Sequence, residues 1–357
     1  MKIVHYIPAL SRRLGGVAMY MQLLAKELGD HCDLIVVTRP FDNPLHLDNC
    51  RVVNLPISQK KFQKAWKAFL EKEHPDLVHV NGIWQRDTWW IQKEALNFGI
   101  KTYITPHGML EPWIIHHNYW KKFLAMFLYE RKALKSAVNL VATAESEREN
   151  IVKLHITDHE IPIIPNGIDV SNIKLKDTWE KRKRILFLSR IDKKKGIELL
   201  LETATSIKRA LEKYEIIIAG KGDKKYTESL KSLARENNIN VNFVGEVYAE
   251  RKWELFREAD FFVLPTHSEN FGYVIAESLA CGTPVITTKG APWKDLEDWK
   301  CGRWIERTKD DLKATLLEMI NKGSKELELM GRNGRTLIEQ KYSAKVMAIE
   351  LMKIYNK

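Results

Sequence analysis

No Cys-x-x-Cys pair occurs in this chain, and its four cysteines, Cys32, Cys50, Cys281 and Cys301, show no metal-ligand spacing. Isolated thiols of this kind read as structural groups of a reducing compartment. Long apolar runs are also missing, and none approaches the roughly 20 residues a membrane span requires. The opening MKIVHYIPALSRRLGG breaks its apolar stretch at His5 and Pro8 and carries its arginines afterwards. That is the reverse of a secretion signal, so the segment reads as a first strand. The expectation is a cytosolic protein, or one resting on a membrane from its cytosolic side. Short-period repeats and low-complexity segments are absent. IIIAGKGD places Gly220 and Gly222 after a buried strand, yet it is neither the glycine fingerprint of a dinucleotide site nor a phosphate loop. A redox Rossmann protein is accordingly disfavoured.

Positive charge is what the chain has in excess: a net charge of +11 and a pI near 9.2 favour an anionic partner. A phosphorylated small molecule, an acidic membrane surface and nucleic acid all qualify on charge alone. No recognised nucleic-acid motif appears, and the basic residues are spread through helices instead of gathered on one recognition element. Hydrophobic content of 45% and charged content of 29% are those of a globular protein, and 357 residues exceed one ordinary core.

Short β-rich runs alternate with amphipathic helical stretches. The first half offers KIVHYI, DLIVVT, RVVNLP, DLVHV, KTYIT, NLVAT and IPIIP; the second offers ILFLSR, EIIIAGKG, VNFVGEV, FFVLPTHS and PVITTKG. Such alternation predicts two doubly wound parallel α/β sheets, with ligands beyond the carboxyl ends of the strands. The expected division is a first domain over 1–165, a charged linker over 166–183 and a second domain over 184–342. A helix over 343–357 is expected to return to the first domain. A helix following ILFLSR is expected to run to about Lys213.

The densest chemistry lies in HSENFGYVIAESLACGTPVI, residues 267–286. Gly272 lets the chain turn, and a helix is predicted from Tyr273 to about Ala280. Glu269 then hangs from the loop, while Glu277 sits about one turn inside the helix. Unpaired amides at a helix start attract anions, so two carboxylates around them suit a ligand with both hydroxyls and phosphates. SRIDKKKGIELL adds Arg190 at a strand end and Lys195 before Gly196, a planar fork and a compact charge for phosphate oxygens. Gly15 and Gly16 precede the first helix, where backbone could approach a ligand.

In order along nearly the whole chain, GGV at 15–17, PHGM at 106–109, PNGID at 165–169, SRIDKKKG at 189–196, AGKGD at 219–223 and the Glu269-to-Glu277 pattern resemble the retaining GT-B glycosyltransferases of family GT4. PHGMLEPW and APWKDLEDWKCGRW further resemble transferases of bacterial capsule and exopolysaccharide synthesis. The resemblance implies two Rossmann-like domains facing each other across a cleft. It implies a UDP- or GDP-sugar donor and, as acceptor, a glycan or lipid-linked saccharide of surface polysaccharide synthesis, lipopolysaccharide included. By the same resemblance Glu269 would touch donor-sugar hydroxyls, and the backbone around Asn270, Phe271, Gly272, Tyr273 and Val274 would hold sugar and diphosphate. Glu277 would take the ribose hydroxyls, Arg190 and Lys195 the diphosphate, and Val247 would lie beside the base. Gly220 joins the donor-binding set, Gly16 would let its loop close over the phosphates, and His107 would lie near the reacting carbon. In VHVNGIW, Asn81 stands where relatives often carry a second histidine. No Asp-x-Asp triplet is present, so no cofactor and no divalent metal are expected. Cationic side chains and helix amides would then stabilise the leaving group. A nucleotide-sugar epimerase of the same fold and a non-catalytic lipid or nucleic-acid binder are the alternatives.

Two basic, aromatic segments carry a second question. QKKFQKAWKAFLEK aligns Phe62, Trp66, Phe69 and Leu70, and NYWKKFLAMFLYERKALK brings together Trp120, Phe123, Leu124 and Phe127. Each could be a core-facing helix with a solvated basic side, or a peripheral contact with anionic lipid.

Overall fold

The computed structural model describes residues 1–11, 16–111, 114–115 and 119–357. Two compact units divide the chain, one formed by Met1–Gly167 with Ser343–Lys357, the other by Ile168–Tyr342.

The first unit contains a parallel sheet of β1 (Lys2–Tyr6), β2 (Asp33–Thr38), β3 (Arg51–Asn54), β4 (Leu77–Asn81), β5 (Lys101–Thr105) and β6 (Asn139–Leu140), in the order β3-β2-β1-β4-β5-β6. The second contains β7 (Arg184–Leu188), β8 (Glu215–Ala219), β9 (Val241–Gly245), β10 (Phe261–Leu264), β11 (Val285–Thr288) and β12 (Gly302–Ile305), ordered β12-β11-β10-β7-β8-β9. Counted from its own first strand, each sheet runs 3-2-1-4-5-6. Winding therefore reverses beside β1 in one unit and beside β7 in the other, and at such a reversal successive connections diverge and leave a crevice. The central strands are buried except at the first residues of β1 and β7, as helices on both sheet faces require.

Four features depart from the sequence expectation. IPIIP makes a single bridge, Ala142 to Ile163, and no full strand. The strand β12, hidden in CGRWI, was not anticipated; it is a short edge strand whose side chains are mostly half-buried, so it lacks an apolar run. The helix after β7 stops at Ser206, short of Lys213. There the Thr203, Thr205 and Ser206 hydroxyls donate to Leu199, Leu201 and Thr203 carbonyls, a competition that weakens a helix end. Finally, the segment 166–183 is no free tether. Ile168, Ile173 and Trp179 are buried in the core of the second unit, and Trp179 donates its indole N–H to Gly282 O at 2.7 Å. Arg335 donates to the Ile173, Ala280 and Val170 carbonyls, and buried Lys176 donates to Ala259 O at 2.7 Å. The charges that suggested a linker thus include the groups that fasten it.

The helix Ala344–Tyr355 packs with Gly16–Leu28 in the first unit, its Met347, Ala348 and Leu351 buried beside Tyr20, Met21 and Leu24. Ser343 caps it by accepting from Val346 N–H. All four cysteines are free, and burial pushes the Cys281 and Cys301 thiols up to about 12. None of the described helices is long and apolar enough to cross a membrane.

The helix Gln59–Glu73 answers one of the two basic segments. Phe62, Trp66 and Leu70 are fully buried while Lys60, Lys61, Lys64 and Lys67 face water, and Trp66 donates to Ile91 O at 3.1 Å. Trp66→Ala should therefore lower stability by about 3–5 kcal/mol, read as a reduced urea midpoint; an unchanged midpoint would contradict this packing.

Candidate functional site

In the second unit the chain leaving β7 and the chain leaving β10 meet at the winding reversal. Asp192 opens a short 3-10 turn over Lys193–Lys195 by accepting from Lys194 N–H at 2.8 Å. Gly196 ends that turn at φ 75°, where a Cβ would stand 2.0 Å from Pro265 O, so only glycine lets the two loops touch. His267 N–H and the Thr266 hydroxyl both donate to Lys194 O, at 2.8 and 3.1 Å.

This stitching brings Lys195 and Glu269 into direct contact. Both side chains are mostly buried, and Lys195 Nζ donates to Glu269 Oε1. Glu269 N–H is itself held by Gly290 O at 2.8 Å. Arg190 is exposed and makes no ion pair among the described residues. Burial pulls the neighbouring Lys194 ammonium below its usual range, an effect opposed by Glu269 and reinforced by Lys195 and Arg190, which places all four charges within one electrostatic neighbourhood.

Directly after Glu269, Gly272 adopts φ 82° and starts the helix Tyr273–Ala280, the bounds the sequence predicts. Phe271 is buried against Trp293, whose indole N–H donates to Phe271 O at 2.5 Å, and the turn is thereby fixed from beneath. Asn270, Tyr273 and Val274 are half-buried around it. One turn into the helix, Glu277 pairs with Lys252 Nζ at 2.8 Å; burial raises its carboxyl and Lys252 opposes that. Lys252, from the helix Ala249–Glu258, was missed by sequence reasoning, because nothing local marks it as the partner of a glutamate 25 residues away.

Gly220 and Val247 follow β8 and β9. At Gly220 a Cβ would lie 1.8 Å from Ser189 O, so this glycine is needed for the close passage of the β7 and β8 loops. Val247 is half-buried against the core. Gly16 and His107 belong to the first unit, where Gly16 begins the helix Gly16–Leu28. Gly15 lies outside the described residues.

Around the reversal beside β1, the first unit holds a buried polar chain that sequence reasoning found only in part. His5 and His79 face each other across the β1–β4 register with stacked rings 4.8 Å apart. Asn81 fixes the protons. Its Nδ2 donates to Tyr6 O at 3.1 Å, an oxygen that can only accept, and to His5 Nδ1 at 3.2 Å. His5 Nε2–H must then donate to Tyr355 OH at 3.1 Å, Tyr355 O–H to His79 Nδ1, and His79 Nε2–H to Thr105 Oγ1 at 2.7 Å. Asn81 Oδ1 accepts from His107 Nε2–H at 3.1 Å, and His107 Nδ1, buried, has no hydrogen-bond partner among the described residues. Every imidazole is therefore neutral. Burial holds His5 and His107 at about 3 and pushes His79 well below its usual range. His107 sits at φ 54° in its turn, whose Gly108 N–H donates to buried Glu147. No local signal marks Tyr355, which reaches this cluster from the far end of the chain.

Residues 170–337 match the family model described as glycosyl transferases group 1, and residues 14–172 match that of glycosyltransferase family 4. An uncharacterized glycosyltransferase of Methanocaldococcus jannaschii is 24% identical over 96% of this chain and 95% of its own. The capsular polysaccharide biosynthesis glycosyltransferase CapM of Staphylococcus aureus is 27% identical over 66% of each chain. Among solved structures, Anabaena HepE in complex with UDP superposes with a TM-score of 0.77 at 15% identity, covering 100% of both chains.

Two outcomes follow from the buried polar groups. Tyr355→Phe removes the hydroxyl between His5 and His79 and strands two ring nitrogens, which should cost about 1–3 kcal/mol in denaturant unfolding; no loss would break the proton chain drawn above. Glu130, buried and accepting from Trp84 N–H at 3.1 Å, has its carboxyl raised to about 7, by burial against that one bond. Because its folded value exceeds the unfolded one, its contribution is full below about 4.5 and is lost as pH rises through 7. Glu130→Gln should thus be more stable than the parent by about 3 kcal/mol at pH 8 and indistinguishable from it below pH 4.5, as read by chemical denaturation.

Proposed function

The chain belongs to the GT-B glycosyltransferases of family GT4, and on that premise we propose that it moves a sugar from a nucleotide diphosphate donor, UDP- or GDP-linked, to a hydroxyl of a bacterial glycan or lipid-linked saccharide. In this reading the anomeric configuration is retained and no divalent metal takes part. The observation that carries it is the Lys195–Glu269 pair held at the winding reversal beside the helix start at Gly272. A carboxylate already oriented by an ammonium can accept from sugar hydroxyls, and the ammonium remains free to donate its other protons to a phosphate oxygen.

The donor bond between the anomeric carbon and the diphosphate oxygen breaks, and negative charge gathers on that oxygen. Arg190, exposed and without an ion pair among the described residues, would meet it with no existing partner to break. Lys195 and the amides of Tyr273 and Val274 supply further preorganised positive potential. Glu277, with one oxygen engaged by Lys252, keeps the other for the ribose hydroxyls. The acceptor oxygen then bonds to the same face of the sugar, and its proton passes to the departing phosphate oxygen. A histidine held at about 3 is too weak a base for that proton. His107, in the first unit, keeps an Nδ1 lone pair with no partner among the described residues. The UDP named for the Anabaena structure supports a uridine donor, and the capsular description of the Staphylococcus relative supports a surface-polysaccharide acceptor.

Arg190→Ala and Glu269→Gln should each reduce turnover of the matching nucleotide-sugar by about a hundredfold or more, with melting temperatures close to the parent's. UDP or GDP should raise the parent's melting temperature, and activity should persist in chelator. Near-parental turnover in both variants, or activity abolished by chelation, overturns the assignment.

A further inference from the structure

The second basic segment behaves opposite to the first. Along Tyr119–Ala125 and the π-helical turn Met126–Glu130 that continues it, six of the seven exposed side chains are apolar or aromatic, Lys121 being the seventh. Trp120 and Phe127 are 78% and 79% exposed, Leu128 62%, Phe123 55%, Leu124 54% and Tyr119 42%. At about 100° per residue these six occupy one half of the helix surface, while Met126 packs on the core. A soluble helix places its apolar stripe inward, so this one is turned inside out. Exposed apolar area of this extent marks a surface that something covers.

Charge identifies the cover. Lys121, Arg131, Lys132 and Lys135 are exposed on the same stretch, and its sole acid, Glu130, is buried. A second copy joined by two-fold symmetry would set this positive rim against itself. An anionic bilayer meets both demands, apolar below the headgroups and negative at them. Tyr119 and Trp120 add aromatic rings with a polar edge, the type that settles at such an interface.

We propose that the helical stretch 119–135 is a membrane-docking element that seats its aromatic face in the headgroup region of an anionic phospholipid bilayer. The element is firmly mounted. Lys122 Nζ donates to Ile114 O and lies over the Trp84 ring, Tyr129 O–H donates to Trp84 O at 3.2 Å, and Trp84 N–H donates to Glu130. Trp84 Nε1–H in turn donates to Met109 O at 2.9 Å, two residues beyond His107. The docking face and the loop carrying His107 are thus parts of one rigid assembly within the first unit. This inference concerns the surface alone and stands whether or not the donor chemistry proposed above is right.

The test is co-sedimentation of the full chain with vesicles of phosphatidylcholine alone, or of phosphatidylcholine with phosphatidylglycerol. It is run in low salt and in about 1 M salt, where the screening length falls to roughly 3 Å. Pelleting with the anionic vesicles in low salt and release in high salt are expected. Trp120→Ser with Phe127→Ser should weaken binding at least tenfold, since both rings lie outside the core and the melting temperature should hold. Replacing Lys121, Lys132 and Lys135 by Glu should weaken it about a hundredfold, at roughly fivefold per cation removed. Failure to pellet with anionic vesicles in low salt overturns the proposal, as does equal pelleting of the Ser double variant. A dimer in sedimentation velocity that disperses in that variant would also overturn it, assigning the face to a second copy.

Discussion

A parallel sheet that changes its winding direction beside its first strand cannot cover the carboxyl end of that strand. The helices before and after the change pass on opposite faces, and the loops leaving the two neighbouring strands are left facing each other across a crevice. Each unit of this protein obeys that constraint, and each spends its least ordinary residues there. In the second unit β7 and β10 deliver Lys195 and Glu269 to the crevice; in the first, β1 and β4 deliver His5, His79 and Asn81. Charge collects at one reversal and neutral hydrogen-bonding capacity at the other.

The two crevices solve the burial of polar groups differently. Lys195 and Glu269 answer each other directly, and their surroundings stay partly open to water. His5, His79 and His107 are buried with no acid hydrogen-bonded to them among the described residues, and the low-dielectric interior keeps them uncharged. Their cost is met by a directional chain that passes through the Tyr355 hydroxyl and ends at Thr105, leaving only the His107 Nδ1 lone pair of the three rings without a partner among the described residues. That gives the helix Ala344–Tyr355 a chemical as well as a packing role, because a C-terminal residue completes a cluster begun at residue 5. Neutral rings can orient hydroxyls without competing for their protons.

Two segments of nearly the same composition illustrate how far pattern reaches. Lysines and aromatics alternate with helical spacing in both 59–73 and 119–135, and both are helical. In the first the aromatic stripe faces β-sheet and is lost to solvent; in the second it faces out. Periodicity reports that one side differs from the other, and says nothing about which side meets the sheet. That choice depends on whether the neighbouring layer has room, which is a property of the assembled unit.

Local chemistry was sufficient for much of this protein. Most strands, the helix starting at Gly272, the placing of Glu269 on its loop and Glu277 inside the helix, and the doubly wound class all follow from spacing and turn residues, whose physics acts over a few positions. Family motifs added the resemblance to glycosyltransferases. What sequence could not supply were relations between distant segments: Lys252 beside Glu277, Tyr355 between two histidines, Arg335 clasping the stretch 166–183, and the outward turn of Trp120 and Phe127. The short edge strand β12 escaped for a related reason, since an edge position needs no continuous apolar run. Each of these is decided by packing, in which a side chain takes whatever partner the tertiary fold brings within about 3 Å, and no local pattern encodes a partner it has yet to meet.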